Sequence, residues 1–563
     1  MKAYDNGAEV SLGQHNYVAA GGEGAIYVVG STAYKIYSDP SKMLPLGKIQ
    51  ELGALTEPFI IKPRSVLKDR AGKLVGYSMA AVPDSYALCQ LFPRAFRDRN
   101  HLDHKQTFDL VRTMQGGVEH AHSKRILLVD LNEMNFLVDK GFKQVFFIDV
   151  DSYQTPHFPA TAIMESIRDR QVRNNDFTDG SDWFSFAVVS FQMLTGIHPY
   201  KGKHPQIKGL DARMTANVSV LNPDVNVPRA CYPFDVIPQV YRDWYRAVLE
   251  EGKRVAPPGT LQAVIGVRLV PQIKTIMGTA NLKIIELYRY DGNIRSVWPL
   301  GGQLAVVTDN GTWIDQRRIH DTAATVQAIG VSPTLNRVIS LTGTPGEVPQ
   351  MTNLTEKAPI PFGLKVEAAM SYQGRIYIKN GDKVLEVLLH EMGNNIIAST
   401  ALAVSVLPQA TTLYRGVVIQ DHLGSTHVSM FPESGKTHQK YLPELDGHKI
   451  IDARYDRGVL VVIGARKGRY DRLVIRFDKS HETYSIRTVR DVPYVGINMA
   501  VLDSGVAVLL NEDEKLELFS VQKDSTAVKI VEDAALGGDI TLSSLGAQLL
   551  FVKGDRTYKA IMK

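Results

Sequence analysis

The sequence predicts two kinds of structure in one chain, an α+β region followed by an all-β region. A length of 563 residues is too great for one ordinary hydrophobic core, so two or more domains are expected. Residues 100–255 contain apolar residues at helical spacing. After about residue 280 that spacing disappears, and short β-rich runs alternate with glycine or polar turns.

Three segments within residues 100–255 are predicted to be helices. The first, HKQTFDLVRTMQGGVEHAHS, has an apolar face formed by Phe108, Val111, Met114 and Val118. The second, DWFSFAVVSFQMLTG, is apolar on nearly all sides, which predicts a buried helix that ends at Gly196. The third, IPQVYRDWYRAVLEEG, is amphipathic and is expected to stop at Gly252.

The β-rich runs after residue 280 form a repeat. They start near Gly302, Asn336, Gly374, Gly416, Gly458, Gly505 and Ala547, at intervals of roughly 34 to 47 residues. Such a repeat, with several short strands per unit, is typical of a β-propeller and here predicts about seven blades, with six or eight as the alternatives. The last unit is short of one strand, which we expect residues 282–290 to supply. An array of two-sheet sandwiches is the alternative.

Composition excludes several classes of protein. A net charge of +5 is mild for this length, so no nucleic-acid partner is expected. Two cysteines, Cys89 and Cys231, allow neither a disulfide framework nor a cysteine metal site. The sequence has neither a signal-like apolar N-terminus nor an apolar run of about 18 residues, so no membrane association is expected and a cytoplasmic location is predicted.

The stretch ILLVDLNEMNFLVDKGFKQVFFIDVDSYQ predicts a β-hairpin with polar residues at its mouth. Asp130 and Asn135 precede its first strand, and Asp149 follows its second. Phosphoryl transfer from a metal–nucleotide needs one carboxylate to orient the attacking hydroxyl, and an amide with a second carboxylate to hold cations. Turn capping uses the same residue types, so this motif depends on the rest of the chain.

A second motif lies near the N-terminus, in VAAGGEGAIYVVGSTAYKIY. It predicts two strands, with Gly21, Gly22 and Gly24 in the turn between them and Lys35 in the second strand. Glycines let backbone amides approach phosphates closely, and a lysine on a strand can pair with them. An ordinary hairpin turn and a solvated lysine are the alternatives.

Together these motifs resemble the protein kinase superfamily, and most closely a divergent bacterial and phage branch with loops like GDLNxxN and IDxDS. The resemblance covers roughly residues 10–270. It implies an α+β bilobal protein-kinase-like domain at 1–275, with an N-lobe at about 10–82 and a C-lobe at about 83–275. An all-β propeller of about seven blades would follow at 276–563.

The resemblance also implies a role for each matching residue. Asp130 matches the catalytic base. Lys35 matches the phosphate-binding lysine. Glu51 in the next helix is its expected partner, and Glu57, which precedes Pro58, is the less favoured alternative. Asn135 and Asp149 match the magnesium ligands. ATP and Mg²⁺ are therefore the expected cofactors.

Other matches concern the nucleotide and the supporting structure. The implied ATP-binding residues are Gly21, Gly22, Gly24, Lys35, Met79, Ala80, Ala81 and Val82, the last four near the adenine. Asp182 matches a buried aspartate that supports the catalytic loop. Arg254 matches a late arginine that pairs with a glutamate, for which Glu165 is the candidate.

Several positions depart from the family pattern. Leu128 and Val129 replace the His and Arg of H-R-D, and Asn132 replaces a lysine. Val150 and Asp151 replace the Phe and Gly of D-F-G. Asp151 is interpreted either as a second metal-facing carboxylate or as a turn cap.

The function that the resemblance implies is an ATP- and Mg²⁺-dependent protein kinase. The Ser/Thr specificity rests on the resemblance alone, and the propeller would recruit a protein substrate or partner. A pseudokinase scaffold that acts through its propeller is the alternative from another class. A kinase for small molecules is a third.

Overall fold

The structure is a computed structural model. It describes residues 1–82, 84–161, 163–259, 281–300, 302–320, 326–334, 336–393, 395–533 and 535–562. Unit 1 comprises Met1–Ile273, Ala465–Tyr470 and Asp491–Gly496. Unit 2 comprises Lys274–Gly464, Asp471–Arg490 and Ile497–Lys563. The predicted boundaries near residues 275 and 83 fall outside the described residues, so both stay predictions.

Unit 1 begins with a seven-stranded sheet of order β2-β1-β6-β7-β5-β4-β3. Its strands are β1 (Lys2–Asp5), β2 (Ala8–Ser11), β3 (Tyr17–Ala20), β4 (Gly24–Val29), β5 (Thr32–Tyr37), β6 (Ser65–Lys68) and β7 (Leu74–Ala80). Helix α1 (Leu46–Leu52) follows β5 in the chain. Lys35 of β5 lies opposite Tyr77 of β7, which places both residues at the centre of the sheet.

The remainder of unit 1 combines a small sheet with helices. The sheet has the order β10-β9-β8 and contains β8 (Ser85–Ala87), β9 (Phe136–Asp139) and β10 (Val145–Phe147). The helices are α2 (Arg94–Arg99), α3 (His104–Ser123), α4 (Asp179–Thr195), α5 (Leu210–Thr215) and α6 (Gln239–Leu249). Helices α3, α4 and α6 confirm the three helix predictions. Gly196 ends α4 at a φ of 80°, a conformation that glycine adopts without strain.

Unit 2 opens with β11 (Leu282–Arg289) and contains seven four-stranded sheets in its described part. Three of them are β12 (Ile294–Leu300), β13 (Gln303–Thr308), β14 (Gly311–Ile314) and β15 (Arg317–His320); β16 (Val326–Val331), β17 (Val338–Thr342), β18 (Gln350–Asn353) and β19 (Ala358–Ile360); and β20 (Ala368–Tyr372), β21 (Arg375–Asn380), β22 (Lys383–Met392) and β23 (Asn395–Ser405).

The next three sheets are β24 (Thr411–Tyr414), β25 (Val417–His422), β26 (Ser425–Glu433) and β27 (Lys436–Tyr441); β28 (Lys449–Asp456), β29 (Val459–Arg466), β30 (Arg469–Phe477) and β31 (Tyr484–Val489); and β32 (Met499–Val501), β33 (Val506–Leu510), β34 (Leu516–Ser520) and β35 (Val528–Val531). The last sheet joins β36 (Thr541–Leu545), β37 (Gln548–Lys553) and β38 (Arg556–Met562) to β11.

The first strand in the described part of unit 2 therefore completes the last sheet. Strand β11 pairs antiparallel with β38, from Leu282 opposite Met562 to Arg289 opposite Arg556. This confirms the pairing expected for residues 282–290. Neighbouring sheets share apolar side chains, as in the cluster that joins Tyr377 of β21 to residues of β25 and β29.

The predicted fold class, an α+β bilobal protein-kinase-like domain followed by an all-β propeller, is wrong. The chain is mostly β, with 42% strand and 16% helix, and its described part has six helices among many small antiparallel sheets. The physical reason is that helical periodicity is confined to a few segments. Between α3 and α4, side chains compete for the backbone amides that a helix would use. Asp139, for example, accepts hydrogen bonds from the amides of Lys143 and Gln144.

None of the helices in the described part of the chain has the length and apolar character needed to cross a membrane.

Candidate functional site

The candidate site is built around the ammonium group of Lys35, which is 6% exposed. Its Nζ lies 2.7 Å from Oδ2 of Asp151. It also lies 3.0 Å from Oδ1 of Asp149 and 3.0 Å from Oε2 of Glu23. Two of these carboxylates come from the DVDS segment after β10, and the third comes from the glycine turn before β4.

Asp151 is the most buried of the three carboxylates, at 3% exposure. Besides Lys35, it accepts hydrogen bonds from the phenols of Tyr37 and Tyr77. The side chain of Asp151 thus accepts hydrogen bonds from three side chains of the sheet. This favours a role in anchoring Lys35 over a role as a turn cap. The sequence carried part of this signal, because Lys35 and Tyr37 are two residues apart and share one face of β5.

The charges around Lys35 fix the protonation of the cluster. Burial alone would lower the pKa of Lys35, but the negative charges of Asp151 and Asp149 outweigh it and raise that pKa. Burial raises the pKa of Tyr37 and of Tyr77, and the nearby Asp151 raises both further. At neutral pH the lysine is therefore charged and both phenols keep their protons.

The glycine turn lies directly against this cluster. The amide of Gly21 donates to the carbonyl of Gly24 over 2.8 Å, which closes the turn. A Cβ added at Gly21 or Gly22 would meet no atom within 4 Å, so the turn faces open space. At Gly24 a Cβ would lie only 2.1 Å from a carbonyl oxygen of β5, so close strand packing requires glycine there. Sequence reasoning missed the part of Glu23, whose position between two glycines gave no specific signal.

Oxygen atoms of Glu23, Asp149 and Asp151 all lie within 4.8 Å of one another, so they could hold a metal ion. Carboxylate oxygens are the ligands that Mg²⁺ prefers. The side chain of Asp149 is 49% exposed and is the accessible member next to the buried Asp151. Desolvation raises the pKa of Asp149, and the ammonium of Lys35 opposes that shift.

The loop before β9 brings Asp130 and Asn135 together. The amide Nδ2 of Asn135 donates to the carbonyl of Asp130 over 2.9 Å and lies 3.3 Å from its Oδ2. The main-chain amide of Met164 donates to the other carboxylate oxygen of Asp130 over 2.8 Å. The amide of Ile148 donates to the carbonyl of Asn135, which ties the mouth of the β9–β10 hairpin next to Asp149.

Asp182, at the start of α4, supports this loop from inside. Its carboxylate accepts the main-chain amides of Leu128 at 2.8 Å and Val129 at 2.9 Å. His122 contacts it through Nε2 at 2.9 Å. Val129 has a φ of 59°, a strained conformation for a β-branched residue. The predicted support of the loop by Asp182 is confirmed.

The structure does not bring Glu51 to Lys35. Glu51 accepts a hydrogen bond from Nδ1 of His157 at 2.6 Å, on the exposed side of α1. The same short helix instead directs a buried lysine inward, because Nζ of Lys48 donates to the main-chain oxygen of Asp151 over 2.7 Å. The carboxylate expected from α1 is thus supplied by Asp151, and α1 contributes a cation.

The segment predicted to lie near adenine is the end of β7. Met79 and Ala80 pair with Ala33 and Thr32 of β5, and all four residues from Met79 to Val82 are partly exposed. The amide of Ala81 already donates to a carbonyl in the β4–β5 turn over 3.0 Å. An adenine contact at this segment stays a prediction.

Arg254 has a different partner from the predicted one. Its Nε and Nη2 donate to the two carboxylate oxygens of Asp169 over 2.5 and 2.6 Å. The candidate glutamate, Glu165, is exposed and lies 3.6 Å from Arg170. Glu165 and Asp169 are close in sequence, and only the fold shows that Asp169 is the buried residue that Arg254 binds.

Comparisons with known proteins show that part of the chain is similar to serine/threonine-protein kinases. A probable serine/threonine-protein kinase of Dictyostelium discoideum is 28% identical over 107 residues, 18% of this chain and 8% of that protein. Ribosomal protein S6 kinase alpha-2 of Mus musculus is 26% identical over 157 residues, 27% of this chain and 20% of that protein. Ribosomal protein S6 kinase alpha-3 of Homo sapiens is 30% identical over 91 residues, 15% of this chain and 12% of that protein.

The chain therefore spans no more than a fifth of the length of these curated relatives. All three are eukaryotic, so they give no support to the predicted bacterial and phage branch. No protein-family model matches the chain.

Proposed function

We propose that unit 1 transfers the γ-phosphate of ATP to a hydroxyl group of a protein, with Mg²⁺ as cofactor. The observation that carries the proposal is the arrangement at the mouth of the β9–β10 hairpin. Asp130 and Asn135 are bonded to each other on one side, and Asp149 is paired with Lys35 on the other. The partial similarity to serine/threonine-protein kinases supports the same reaction, and a Ser/Thr acceptor rests on that similarity.

Each group has a distinct part in the proposed reaction. Asp130 takes the proton of the acceptor hydroxyl. The oxygen of that hydroxyl bonds to the γ-phosphorus while the bond between this phosphorus and the departing ADP breaks. Lys35 binds the α- and β-phosphates beneath the open glycine turn. Asp149 and Asn135 would hold Mg²⁺, which would neutralise charge on the phosphates.

The test is phosphate transfer by the purified full-length chain with labelled ATP and Mg²⁺. We expect Asp130→Ala to lose at least about a hundredfold in rate, the typical share of a general base. Asp84→Ala is the matched control, because Asp84 is an exposed aspartate that pairs with Lys140 at the surface. Equal rates for wild type and Asp130→Ala would contradict the proposal.

A pseudokinase scaffold is the second candidate, and one observation favours it. Glu23 places a third carboxylate on the ammonium of Lys35, where a phosphate would bind. Nucleotide binding must therefore move Glu23 or neutralise it with a cation. The scaffold is favoured if wild type binds ATP without transferring phosphate to itself or to a mixed protein extract, and Glu23→Gln tightens that binding.

For unit 2 we propose a propeller-like β region that recruits a protein substrate or partner. The seven four-stranded sheets support this, because the first strand of the unit completes the last sheet. A pull-down with the full chain, repeated with an Ile284→Pro variant that weakens the β11–β38 pairing, tests whether recruitment needs this closed arrangement.

A further inference from the structure

A short segment from late in the chain, Ala465–Tyr470, belongs to unit 1. It comprises the end of β29, the turn that follows and the start of β30. Its last residue reaches the loop that carries Asp130. The phenol of Tyr470 donates a hydrogen bond to Oε1 of Glu133. Both side chains are only 3% exposed, so water cannot replace this bond.

Glu133 is part of the loop between Asp130 and Asn135, and that loop is held by its own hydrogen bonds. The amide of Asn132 donates to the carbonyl of Asp130 over 2.9 Å, and the amide of Met134 donates to Oδ1 of Asn132 over 2.8 Å. Glu133 lies between these bonded residues, so we expect a shift of Glu133 to move Asp130 and Asn135. Burial raises the pKa of Glu133, and the hydrogen bond from Tyr470 opposes that shift.

The same segment contacts a second support of Asp130. A Cβ added at Gly468 would lie 2.5 Å from Oγ of Ser166 and 2.8 Å from the side chain of Met164, so the turn packs tightly there. The amide of Met164 donates to the carboxylate of Asp130. Segment Ala465–Tyr470 thus touches both the loop that carries Asp130 and the residue that binds its side chain.

The segment is itself fixed within unit 1. The amide of Val492, in the second late segment Asp491–Gly496, donates to the carbonyl of Tyr470 over 2.7 Å. Nζ of Lys201 donates to Asp491 over 2.7 Å and to the carbonyl of Val492 over 3.1 Å. A phenol held in this way can hold Glu133 in one position.

We propose that Tyr470 is a positioning residue, which holds Glu133 and through it fixes Asp130 for phosphate transfer. The effect on transfer rests on the proposed function, whereas the effect on the loop does not. The hydrogen-bond partners of Tyr470 given above, Glu133 and Val492, are not among the residues proposed to bind ATP. Its loss should therefore lower kcat and leave the KM for ATP almost unchanged.

The first experiment measures steady-state kinetics of full-length Tyr470→Phe, which removes one hydroxyl and keeps the ring. We expect kcat to fall by about tenfold or more, because small errors in the placement of a reacting group are costly. The KM for ATP should stay within about twofold. Tyr484→Phe is the matched control, since its phenol donates to Glu444 over 2.9 Å at an exposed site.

Conservative replacement of the partner separates positioning from general stability. Glu133→Gln keeps an oxygen that can accept the phenol's hydrogen bond, so it should retain more of kcat than Glu133→Ala. In the Tyr470→Phe background, Glu133→Gln should change kcat by a smaller factor than it does in wild type. Independent, multiplicative losses would contradict the proposed coupling.

A second readout does not depend on catalysis. Hydrogen exchange of the amides of Met134, Asn135 and Met164 should accelerate in Tyr470→Phe, while exchange in α4 stays unchanged. If wild type transfers no phosphate but the loop still loosens, the proposed function fails and the role of Tyr470 stands. If exchange in the loop is unchanged, or kcat equals that of wild type, the role of Tyr470 is overturned.

Discussion

The ammonium of Lys35 lies 2.7 Å from the carboxylate of Asp151, and both side chains are buried. Asp151 is two residues from Asp149, so the anchor of the lysine and the proposed magnesium ligand belong to the same short turn. The direction of Lys35 is therefore set by the segment that would bind the cation. Helix α1 reaches this turn through Lys48, whose Nζ donates a hydrogen bond to the main-chain oxygen of Asp151.

The first prediction concerns the stability of this pair. Lys35→Met leaves a buried carboxylate without its cation, so the free energy of unfolding should fall by about 3 kcal/mol. Adding Asp151→Asn should restore most of that loss, because the uncompensated charge is removed. Urea denaturation measures both changes. Lys140→Met is the control, since its pair with Asp84 is exposed and should contribute little.

The second prediction separates the two neighbouring aspartates. Under the proposed function, Asp149→Asn should raise the Mg²⁺ concentration needed for half-maximal rate by about tenfold or more, because it removes a ligand. Asp151→Asn should lower kcat with little change in the Mg²⁺ requirement, because it loosens Lys35. Initial rates across a Mg²⁺ titration distinguish the two. The same Mg²⁺ shift in both variants would mean that Asp151 is a ligand as well.

Local patterns predicted much of the fold, because they are set within one segment. The apolar spacing of α3 and the all-round apolar α4 could be identified from single stretches. The pairing of β11 with β38 followed from counting repeats. The fold class was wrong, because the long stretches between helices are held by side-chain hydrogen bonds that no periodicity reveals.

The candidate site shows the same limit. Side chains on one hairpin, such as Asp130 and Asn135, could be placed together because the chain itself joins them. The partner of Lys35 could not be identified in this way, since Glu51 and Asp151 are both acidic and both distant in sequence. Which of the two acidic side chains meets Lys35 depends on the rotation of helix α1 about its axis. Tertiary packing sets that rotation.

The third prediction concerns the ion pair of Arg254 and Asp169, which is bidentate and buried on the carboxylate side. Arg254→Met strands the carboxylate of Asp169, so the free energy of unfolding should fall by about 3 to 5 kcal/mol. Glu165→Gln should change it by less than about 0.5 kcal/mol, because that glutamate is exposed. Thermal or urea unfolding of the two variants compares the observed ion pair of Arg254 with Asp169 against the predicted partner, Glu165. A larger effect at Glu165 would contradict the assignment.

The fourth prediction concerns pH. Burial and the nearby cation of Lys201 together lower the pKa of His198 to about 3. Near pH 6.5 and below, the unfolded chain therefore binds a proton that the folded chain does not. The free energy of unfolding should fall as pH drops, by at most about 1.4 kcal/mol per pH unit from this group.

His198→Gln should remove that slope while keeping a donor for the carbonyl of Ser166, which lies 2.9 Å from Nε2. Urea denaturation between pH 5 and 7 measures the free energy of unfolding of wild type and of the variant. Subtracting one curve from the other cancels the contribution of the carboxylates, which both proteins share. Parallel curves for wild type and His198→Gln would show that His198 is not the titrating group.

The last prediction concerns regulation by phosphorylation in the segment after Asp149. In kinases with H-R-D, the arginine needs a phosphate on this segment to neutralise it. Here Val129 occupies that position, so no such charge is present. Two candidate hydroxyl residues, Ser152 and Thr155, are buried, and a kinase could reach them only if the segment unfolded.

Thr161 is exposed, and its hydroxyl lies 3.4 Å from the main-chain oxygen of Asp151. Arg170, which follows this segment in the chain, is already paired with Asp211. We therefore expect the protein to be active as synthesised, and Thr161→Ala to lose less than about tenfold in rate, roughly 1.4 kcal/mol in barrier. Phosphatase treatment should likewise leave the rate nearly unchanged. A large loss after either treatment would mean that Arg170 leaves Asp211 to bind a phosphate, and Arg170→Gln would then produce the same loss without phosphatase.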